Sequence, residues 1–354
     1  MTIDESLLMM DQSHRLVLSH FPSWAQPVSE IQWLGNAGGH SGATIWRFRS
    51  LIGELSLRAW PAHGPGHAQL ERMHAWLRQT ADSSLPMAKP IATLENQTLL
   101  RQGGRSWQLE PWMPGVPDLG APPAKEHIVA AYAALARFQE RLSSQAGAGH
   151  SPGFDSRVKE LRRLQSNGPD RLAAALANQP DDAPYVAAGR RWLAMARPAI
   201  GCVLERFGSL AHQLVPLQPC LRDARPEHFL FEGDRLTGMI DFGAMGVESV
   251  AADLARLSGE WLAGDSSLRT VALEAYERIR PLHPDEIALM EGFEAVADVL
   301  IAMHWLSWHF LEQRRFEDPG AVGRGIRRGL ERLQRLLERE KFSGLIHVIP
   351  RPVR

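Results

Sequence analysis

The first third of the chain alternates apolar and polar positions in short runs, and this pattern predicts β-strands. The runs "EIQWLG", "ATIWRFRS" and "GELSLRAWP" predict three antiparallel strands, with the Gly-rich "NAGGHSG" between the first two. Helical spacing follows in "GHAQLERMHAWLRQT", and strand patterns return in "AKPIATL", "QTLLRQ" and "RSWQLEPW". We therefore expect the order β-β-β-α-β-β, preceded by a helix over about residues 5–20.

The segment "MPGVPDLGAPP" shows neither the alternation of a strand nor the spacing of a helix, and it is rich in Pro and Gly, which is typical of a connector. It predicts a hinge over residues 111–123, between an N-terminal lobe of residues 1–110 and a C-terminal lobe of residues 124–354. Beyond the hinge, apolar positions recur mostly at helical spacing. Helices are expected in "KEHIVAAYAALARFQERL", "DSRVKELRRLQ", "PYVAAGRRWLAMARPAIGCVLERF", "SVAADLARLSGEWL" and the run from Pro284.

One interruption of the helical pattern, over residues 214–248, carries the candidate chemistry. The runs "HFLFEGD" and "RLTGMI" predict a hairpin, with Asp223 on the loop before it and Asp241 directly after it. Because a short hairpin returns the chain near its start, both carboxylates are expected to face one cleft. Paired carboxylates suit Mg²⁺ together with substrate phosphates. The alternative is that both are ordinary turn or cap residues.

Composition narrows the class of protein. The chain has 354 residues, 44% hydrophobic and 22% charged, which is typical of a globular protein with two lobes. A net charge of -1 gives no electrostatic reason to expect nucleic acid or an anionic membrane as a partner. With two cysteines, Cys202 and Cys220, the sequence has no pattern of a disulfide framework and no Cys/His cluster with the spacing of zinc ligands. The N-terminus lacks the pattern of a secretion signal, so we expect a cytoplasmic protein.

The segments "LRDARPEHFLF", "GMIDFG" and "SVAADLARL" together resemble the aminoglycoside phosphotransferase-like branch of the protein-kinase-like fold. That branch includes choline, fructosamine and homoserine kinases. The resemblance implies a bilobal α+β fold, with a small antiparallel β-sheet lobe containing one main helix and a larger, mostly helical lobe. It also implies a catalytic loop over residues 220–231, a metal segment over residues 240–243, and transfer of the ATP γ-phosphate to a hydroxyl of a small molecule.

Residue by residue, the resemblance assigns roles in the catalytic loop. Arg222 and Asp223 match the end of the family's catalytic triplet, and Asp223 would accept or orient the proton of the acceptor hydroxyl. Asp241 would hold Mg²⁺ between the β- and γ-phosphates of ATP. Asp253 matches an acid with a structural role in fixing the catalytic loop.

In the N-terminal lobe the resemblance implies a Gly-rich loop over the phosphates, a basic residue at Arg58 that contacts them, and Glu71 as its ion-pair partner. The alternative for Glu71 is a solvated residue on the helix surface. Backbone groups near Pro111 would bind the adenine edge. The residues so assigned to the nucleotide are Gly38, Gly39, Ser41, Gly42, Arg58, Glu71, Glu110, Trp112 and Met113.

Three positions depart from the family pattern. Leu221 and Gln139 each stand where the family has His, and His228 stands where an Asn helps to bind a second Mg²⁺ and to brace Asp223. Imidazole suits transition metals better than magnesium. Glu227 is an alternative source of the missing oxygen ligand. Three roles of His228 are therefore open: it braces Asp223 in place of the Asn, it only fills space in an inactive site, or it binds a transition metal.

Three hypotheses remain at this point. The preferred one is a kinase dependent on ATP and Mg²⁺; the second is a nucleotide-binding pseudokinase that acts as a regulatory or scaffold module; the third is a purely structural hairpin. The acceptor and the oligomeric state have no signal in the sequence. The apolar helix around Trp305 and Trp308 is expected to lie in the core. The alternative is that this helix closes the acceptor pocket and that Glu291, Glu294 and Asp298 contact a cationic acceptor.

Overall fold

The computed structural model describes residues 13–35, 42–80, 85–262, 264–314, 316 and 318–342. The chain forms two compact units. Unit 1 comprises Met1–Ala146, Gln218–Val247 and Glu260–Pro281, and unit 2 comprises Gly147–Leu217, Glu248–Gly259 and Leu282–Arg354. Neither unit is continuous in sequence, and the lobe boundary expected at residues 111–123 remains a prediction.

The described strands are β1 (Gln32–Gly35), β2 (Thr44–Ser50), β3 (Gly53–Trp60), β4 (Leu100–Gln102), β5 (Arg105–Pro111), β6 (Val116–Pro117), β7 (Gly147–Gly149), β8 (Val215–Cys220), β9 (Phe229–Glu232), β10 (Arg235–Met239) and β11 (Gly246–Glu248). The helices with described bounds are α1 (His67–Gln79), α2 (Lys125–Arg141), α3 (Pro152–Ala177), α4 (Val186–Phe207), α5 (Val250–Trp261), α6 (Ser266–Glu277), α7 (Pro284–Phe310) and α8 (Ala321–Phe342).

Unit 1 contains a five-stranded antiparallel sheet in the order β1-β2-β3-β5-β4, with α1 between β3 and β4 in sequence. The predicted order β-β-β-α-β-β is thus confirmed. One face packs a core in which Phe48, Leu55 and Leu57 are buried and Trp46 stacks on Trp107 at 5.3 Å between ring centroids. The strand expected in "AKPIATL" does not form.

The hairpin in unit 1 is the second element that positions the site. Strands β9 and β10 pair antiparallel, with Gly233 in the turn at a φ of +55°, which favours glycine. The end of β10 is held by two backbone hydrogen bonds, from the Met239 N–H to the Pro86 carbonyl at 2.7 Å and from the Ala88 N–H to the Met239 carbonyl at 3.0 Å. The predicted hairpin is therefore confirmed, and its end is anchored to residues 86–88.

Helix α2 fixes the strand that leads into the catalytic-loop segment. Gln139, where the family has His, is fully buried. Its backbone carbonyl accepts from the Gln218 side chain on β8 at 2.7 Å, and its side-chain oxygen accepts from the Tyr276 hydroxyl on α6. A glutamine satisfied on both sides keeps α2, β8 and α6 in contact without a histidine.

Unit 2 is mostly helical and contains α3, α4, α7 and α8, with β7 paired antiparallel to Val215–Leu217 of β8. Asp298 is buried and lies 2.6 Å from Arg332 and 3.0 Å from Arg339. That pairing assigns Asp298 to helix packing. Trp305 and Trp308 make an edge-to-face contact with 5.0 Å between ring centroids. Both side chains are half-buried, whereas the sequence predicted that they lie in the core. No helix among the described residues has both the length and the apolarity to cross a membrane.

Candidate active site

Asp241 sits at the end of the hairpin in a backbone conformation that few residues adopt. Its φ of 59° and ψ of 64° are left-handed, a region in which Asp is tolerated better than most side chains. The side chain is 40% exposed, so solvent and ligands can reach the carboxylate. Next to it, a Cβ on Gly243 would lie 2.5 Å from the Trp60 ring, so only glycine allows this close approach.

Strand pairing brings Arg58 and Glu110 together. In the β3–β5 ladder Arg58 lies opposite Gln108, so Glu110, two positions along, projects from the same face as a diagonal neighbour. The Arg58 guanidinium lies 3.5 Å from the Glu110 carboxylate and 3.4 Å from Asp241. Its Nε is buried and has no hydrogen-bond partner among the described residues. Arg58 thus links the sheet to the end of the hairpin.

Glu110 is a buried carboxylate with a second supporting contact. Gln108 Nε2 donates to it at 2.6 Å. Burial raises the pKa of Glu110, and the nearby Arg58 charge opposes that rise. The structure therefore gives the Glu110 side chain a role as the counter-charge of Arg58, which the sequence analysis had assigned to Glu71.

Glu71 lies elsewhere. It is 61% exposed and contacts His67 on the same helix at 3.5 Å. Glu71 thus matches the alternative of a solvated residue on the helix surface, and in this structure the ladder supplies Glu110 at the position where the charge of Arg58 is balanced. Alternation along β5 could have indicated Glu110, but only if the register against β3 had been known.

A polar chain fixes Gln108. The Trp60 indole N–H donates to Gln108 Oε1 at 2.8 Å, so this atom is the oxygen and the amide nitrogen faces Glu110. His74 Nε2 lies 3.2 Å from the same oxygen and its Nδ1 lies 2.8 Å from the Thr98 hydroxyl. Burial lowers the pKa of His74 to about 4, so the ring is neutral at pH 7 and donates from Nε2.

His228 connects the catalytic-loop segment to Asp241. It ends a short 3₁₀ turn over Pro226–His228, and its backbone carbonyl accepts from Ile240 N–H at 3.0 Å. The ring Nδ1 lies 2.9 Å from the backbone carbonyl oxygen of Asp223, and Nε2 lies 3.7 Å from Asp241 Oδ2. One side chain therefore spans the two segments that the sequence predicts to meet.

Arg225 is a charged residue of the loop to which the sequence analysis gave no role. Its guanidinium lies 3.0 Å from Glu227 and 3.2 Å from Glu260. Burial opposes its charge, but Glu260, Glu227 and Asp223 raise the pKa of Arg225. The sequence signal that could have indicated a role for Arg225 is its position two residues after Asp223. Arg222, in a left-handed conformation with a φ of 64°, starts the same loop.

The other predicted site residues are less informative. Gly38, Gly39 and Ser41 lie outside the described residues, and Gly42 has a φ of +67°. The Trp112 N–H donates to the Glu54 carbonyl at 2.9 Å, and the Met113 side chain packs against Gly238. Asp253 is buried in α5 of unit 2. The adenine contacts predicted for Glu110, Trp112 and Met113 stay predictions.

The donor set fits a metal bound together with a substrate. Within the described part of the chain, no group of three or more His, Cys, Asp and Glu side chains is arranged to hold a metal ion. Mg²⁺ is commonly held by one or two carboxylates, with substrate phosphates and water completing its shell. The exposed Asp241 carboxylate meets that requirement, and the Arg58 guanidinium, 3.4 Å from it, places a positive charge beside it.

Comparisons with known proteins agree with this geometry. The model of the phosphotransferase enzyme family, APH, matches residues 33–288. No curated protein sequence matches the chain significantly.

Solved structures resemble most of the chain. They include an aminoglycoside phosphotransferase from Alicyclobacillus acidocaldarius (TM-score 0.58, 15% identity, 93% of this chain and 95% of that chain). An amicoumacin kinase has a TM-score of 0.61 at 12% identity, covering 93% and 96%. A microcompartment-associated aminopropanol kinase has a TM-score of 0.59 at 11% identity, covering 94% and 98%. These likenesses show the protein-kinase-like α+β fold that the sequence predicts.

Proposed function

Because the chain belongs to the phosphotransferase enzyme family, we propose that it transfers the γ-phosphate of ATP to a hydroxyl group of a small molecule. The observation that carries the proposal is the arrangement around Asp241, where Arg58 approaches one carboxylate oxygen and His228 the other. A cation and an exposed carboxylate are groups with which phosphoryl-transfer sites hold a polyphosphate and its metal, and the imidazole of His228 lies beside them.

Asp241 is the proposed ligand of a nucleotide-bound Mg²⁺. A bound divalent metal neutralises charge on the phosphates and orients them. Arg58, whose guanidinium lies 3.4 Å from Asp241, supplies a positive charge for the phosphates, and Glu110 holds the guanidinium in place from the sheet. In phosphoryl transfer most of the catalysis comes from positioning and charge stabilisation, which these residues supply.

Asp223 is the proposed group that accepts or orients the proton of the acceptor hydroxyl. Its backbone carbonyl is fixed by the His228 ring at 2.9 Å, so the position of the loop is coupled to Asp241. Arg225, whose charge interacts with Asp223, keeps a positive charge within the loop. The proton leaves the hydroxyl as its oxygen bonds to phosphorus and the bond from phosphorus to the β,γ-bridging oxygen breaks.

The structural relatives indicate which acceptor compounds should be tested first. One is an aminopropanol kinase, one an amicoumacin kinase in complex with AMP-PNP and Ca²⁺, and one a spectinomycin phosphotransferase in complex with ADP and spectinomycin. We therefore place amino alcohols and aminoglycoside-like antibiotics first in the search for an acceptor of this chain.

A nucleotide-binding pseudokinase is the second candidate, favoured by one observation. His228 lies 3.7 Å from Asp241, and a protonated ring would pair with the carboxylate that the metal needs. In that case the protein binds nucleotide without transferring phosphate.

The test is an ATP-consumption screen over amino alcohols, sugars and antibiotics, with mass spectrometry of the acceptor. The wild type should phosphorylate at least one hydroxyl compound, and Asp223→Asn and Asp241→Asn should each abolish transfer. The control is Asp181→Asn, whose carboxylate is 85% exposed in a surface pair with Arg190 and should leave turnover unchanged. Undiminished transfer in both site variants contradicts the proposal, and nucleotide binding with no transfer to any compound favours the pseudokinase.

A further inference from the structure

The hydrogen bond at His228 Nδ1 fixes the tautomer of the ring. Nδ1 lies 2.9 Å from the backbone carbonyl oxygen of Asp223, and a carbonyl can only accept. Nδ1 therefore carries a proton. In the neutral imidazole the lone pair is then on Nε2.

This lone pair faces a second acceptor. Nε2 lies 3.7 Å from Asp241 Oδ2, and neither atom can donate to the other when the ring is neutral. The His228 side chain is only 13% exposed, whereas that of Asp241 is 40% exposed, so the space beside the pair is reached from the carboxylate side. A cation bound between the two atoms would accept both lone pairs.

We propose that His228 binds, through Nε2, the same nucleotide-bound divalent metal as Asp241, so that the site favours Mn²⁺ or Co²⁺ over Mg²⁺. The inference rests on the proposed function, because phosphate oxygens must complete the coordination shell. The described residues contain no group of three side chains that could hold the metal without them.

The geometry is close to that of a bound metal. Two bonds of about 2.1 Å at a right angle place a nitrogen and an oxygen about 3.0 Å apart. The observed 3.7 Å therefore needs to close by about 0.7 Å, which a small rotation of the exposed carboxylate provides. Histidines that bind metals usually donate their other ring N–H to a backbone carbonyl, carboxylate or water, as His228 does to Asp223.

The expected selectivity follows from the ligand chemistry. Mg²⁺ prefers oxygen ligands and gives up its bound water reluctantly, whereas imidazole nitrogen is a good ligand for later divalent metals. Replacing the nitrogen with an amide oxygen, as in His228→Asn, keeps a donor for Asp223 and supplies an oxygen to the metal. The competing arrangement is an imidazolium paired with Asp241, in which no metal–nitrogen bond exists.

The experiment is pulsed electron paramagnetic resonance on full-length protein with Mn²⁺ and AMP-PNP. The wild type should show modulation from a directly bound ¹⁴N nucleus. Protein grown with ¹⁵N-histidine should show the ¹⁵N pattern in its place, which identifies a histidine without any mutation. His228→Asn and His228→Gln should each lose the signal, and in a competition titration each should lose the preference for Mn²⁺ over Mg²⁺.

The matched control is His304→Asn, which removes another imidazole paired with a carboxylate, at 2.8 Å from Glu160. It should keep both the signal and the metal preference. Bound Mn²⁺ with no histidine nitrogen signal in the wild type overturns the inference and leaves the kinase proposal standing. A signal that persists in both His228 variants also overturns it. If Mn²⁺ and AMP-PNP do not bind at all, the inference and the proposed function both fail.

Discussion

Replacing Arg58 with methionine tests the charge arrangement beneath the site. The change keeps much of the side-chain volume but leaves the buried Glu110 carboxylate without the cation 3.5 Å away. Removing one partner of a buried ion pair costs about 3–5 kcal/mol. Because Asp241, the other partner, is 40% exposed and screened by solvent, we expect the low end of that range, about 3 kcal/mol.

That loss should lower the melting temperature by about 4 °C, because an unfolding entropy of about 2.1 cal/mol/K per residue gives about 1.3 °C per kcal/mol for 354 residues. The control is Arg47→Met in the neighbouring strand, where the pair with Glu54 is more than a third exposed and is expected to contribute less than about 1 kcal/mol. The double variant R58M/E110Q should recover much of the stability, because no uncompensated charge then remains buried.

The loss should also depend on pH. Without Arg58 the pKa of Glu110 rises further, so the folded protein holds this proton at a higher pH than the unfolded chain does. The free energy of unfolding of R58M should therefore fall, relative to the wild type, as the pH increases from about 5 to about 8. Urea unfolding at both values measures this difference. A loss no greater than that of R47M, or equal at both pH values, would refute the reasoning.

Two further changes have defined outcomes. Gly243→Ala places a Cβ 2.5 Å from the rigid Trp60 ring and should cost about 1–3 kcal/mol in urea unfolding, whereas Gly201→Ala, in open space on a helix, should not destabilise; equal effects would contradict the contact. His127 contacts Asp118 at 2.8 Å and a backbone carbonyl at 2.9 Å. Burial opposes its protonation, but these bonds raise its pKa, so its stabilisation relative to H127A should be complete below about pH 6.5 and lost as the pH rises through the folded-state value. A pH-independent difference in melting temperature would contradict that account.

The elements that the sequence predicted are those specified by local pattern. Strands β1, β2 and β3 and the β9–β10 hairpin carry both alternation and turn residues, and Asp241 follows the hairpin directly. Helix α6 was missed, although Asp265 just before it accepts from two backbone N–H groups as an N-cap, a signal present in "DSSLRTVALEAYE". The segment "AKPIATL" has strand-like residues but makes isolated backbone hydrogen bonds in place of a ladder, for example from Ala88 to Met239 and from Ile91 to Leu109.

What the sequence could not supply is pairing across elements. The register that places Glu110 beside Arg58 is set by the whole sheet, and so the local pattern could not indicate Glu110 as the partner. The orientation of the His228 ring depends on a backbone carbonyl five residues earlier. In both cases the chemistry was visible in the residue types, and only the structure identified the partner.

The central claim is that Asp241 binds the metal and nucleotide while Asp223 serves the acceptor. Calorimetric titration of Mg²⁺ and AMP-PNP into the wild type, Asp223→Asn and Asp241→Asn tests it most directly. We predict that the wild type and Asp223→Asn bind with similar affinity and that Asp241→Asn binds far more weakly. Equal affinity in the wild type and Asp241→Asn would contradict the claim.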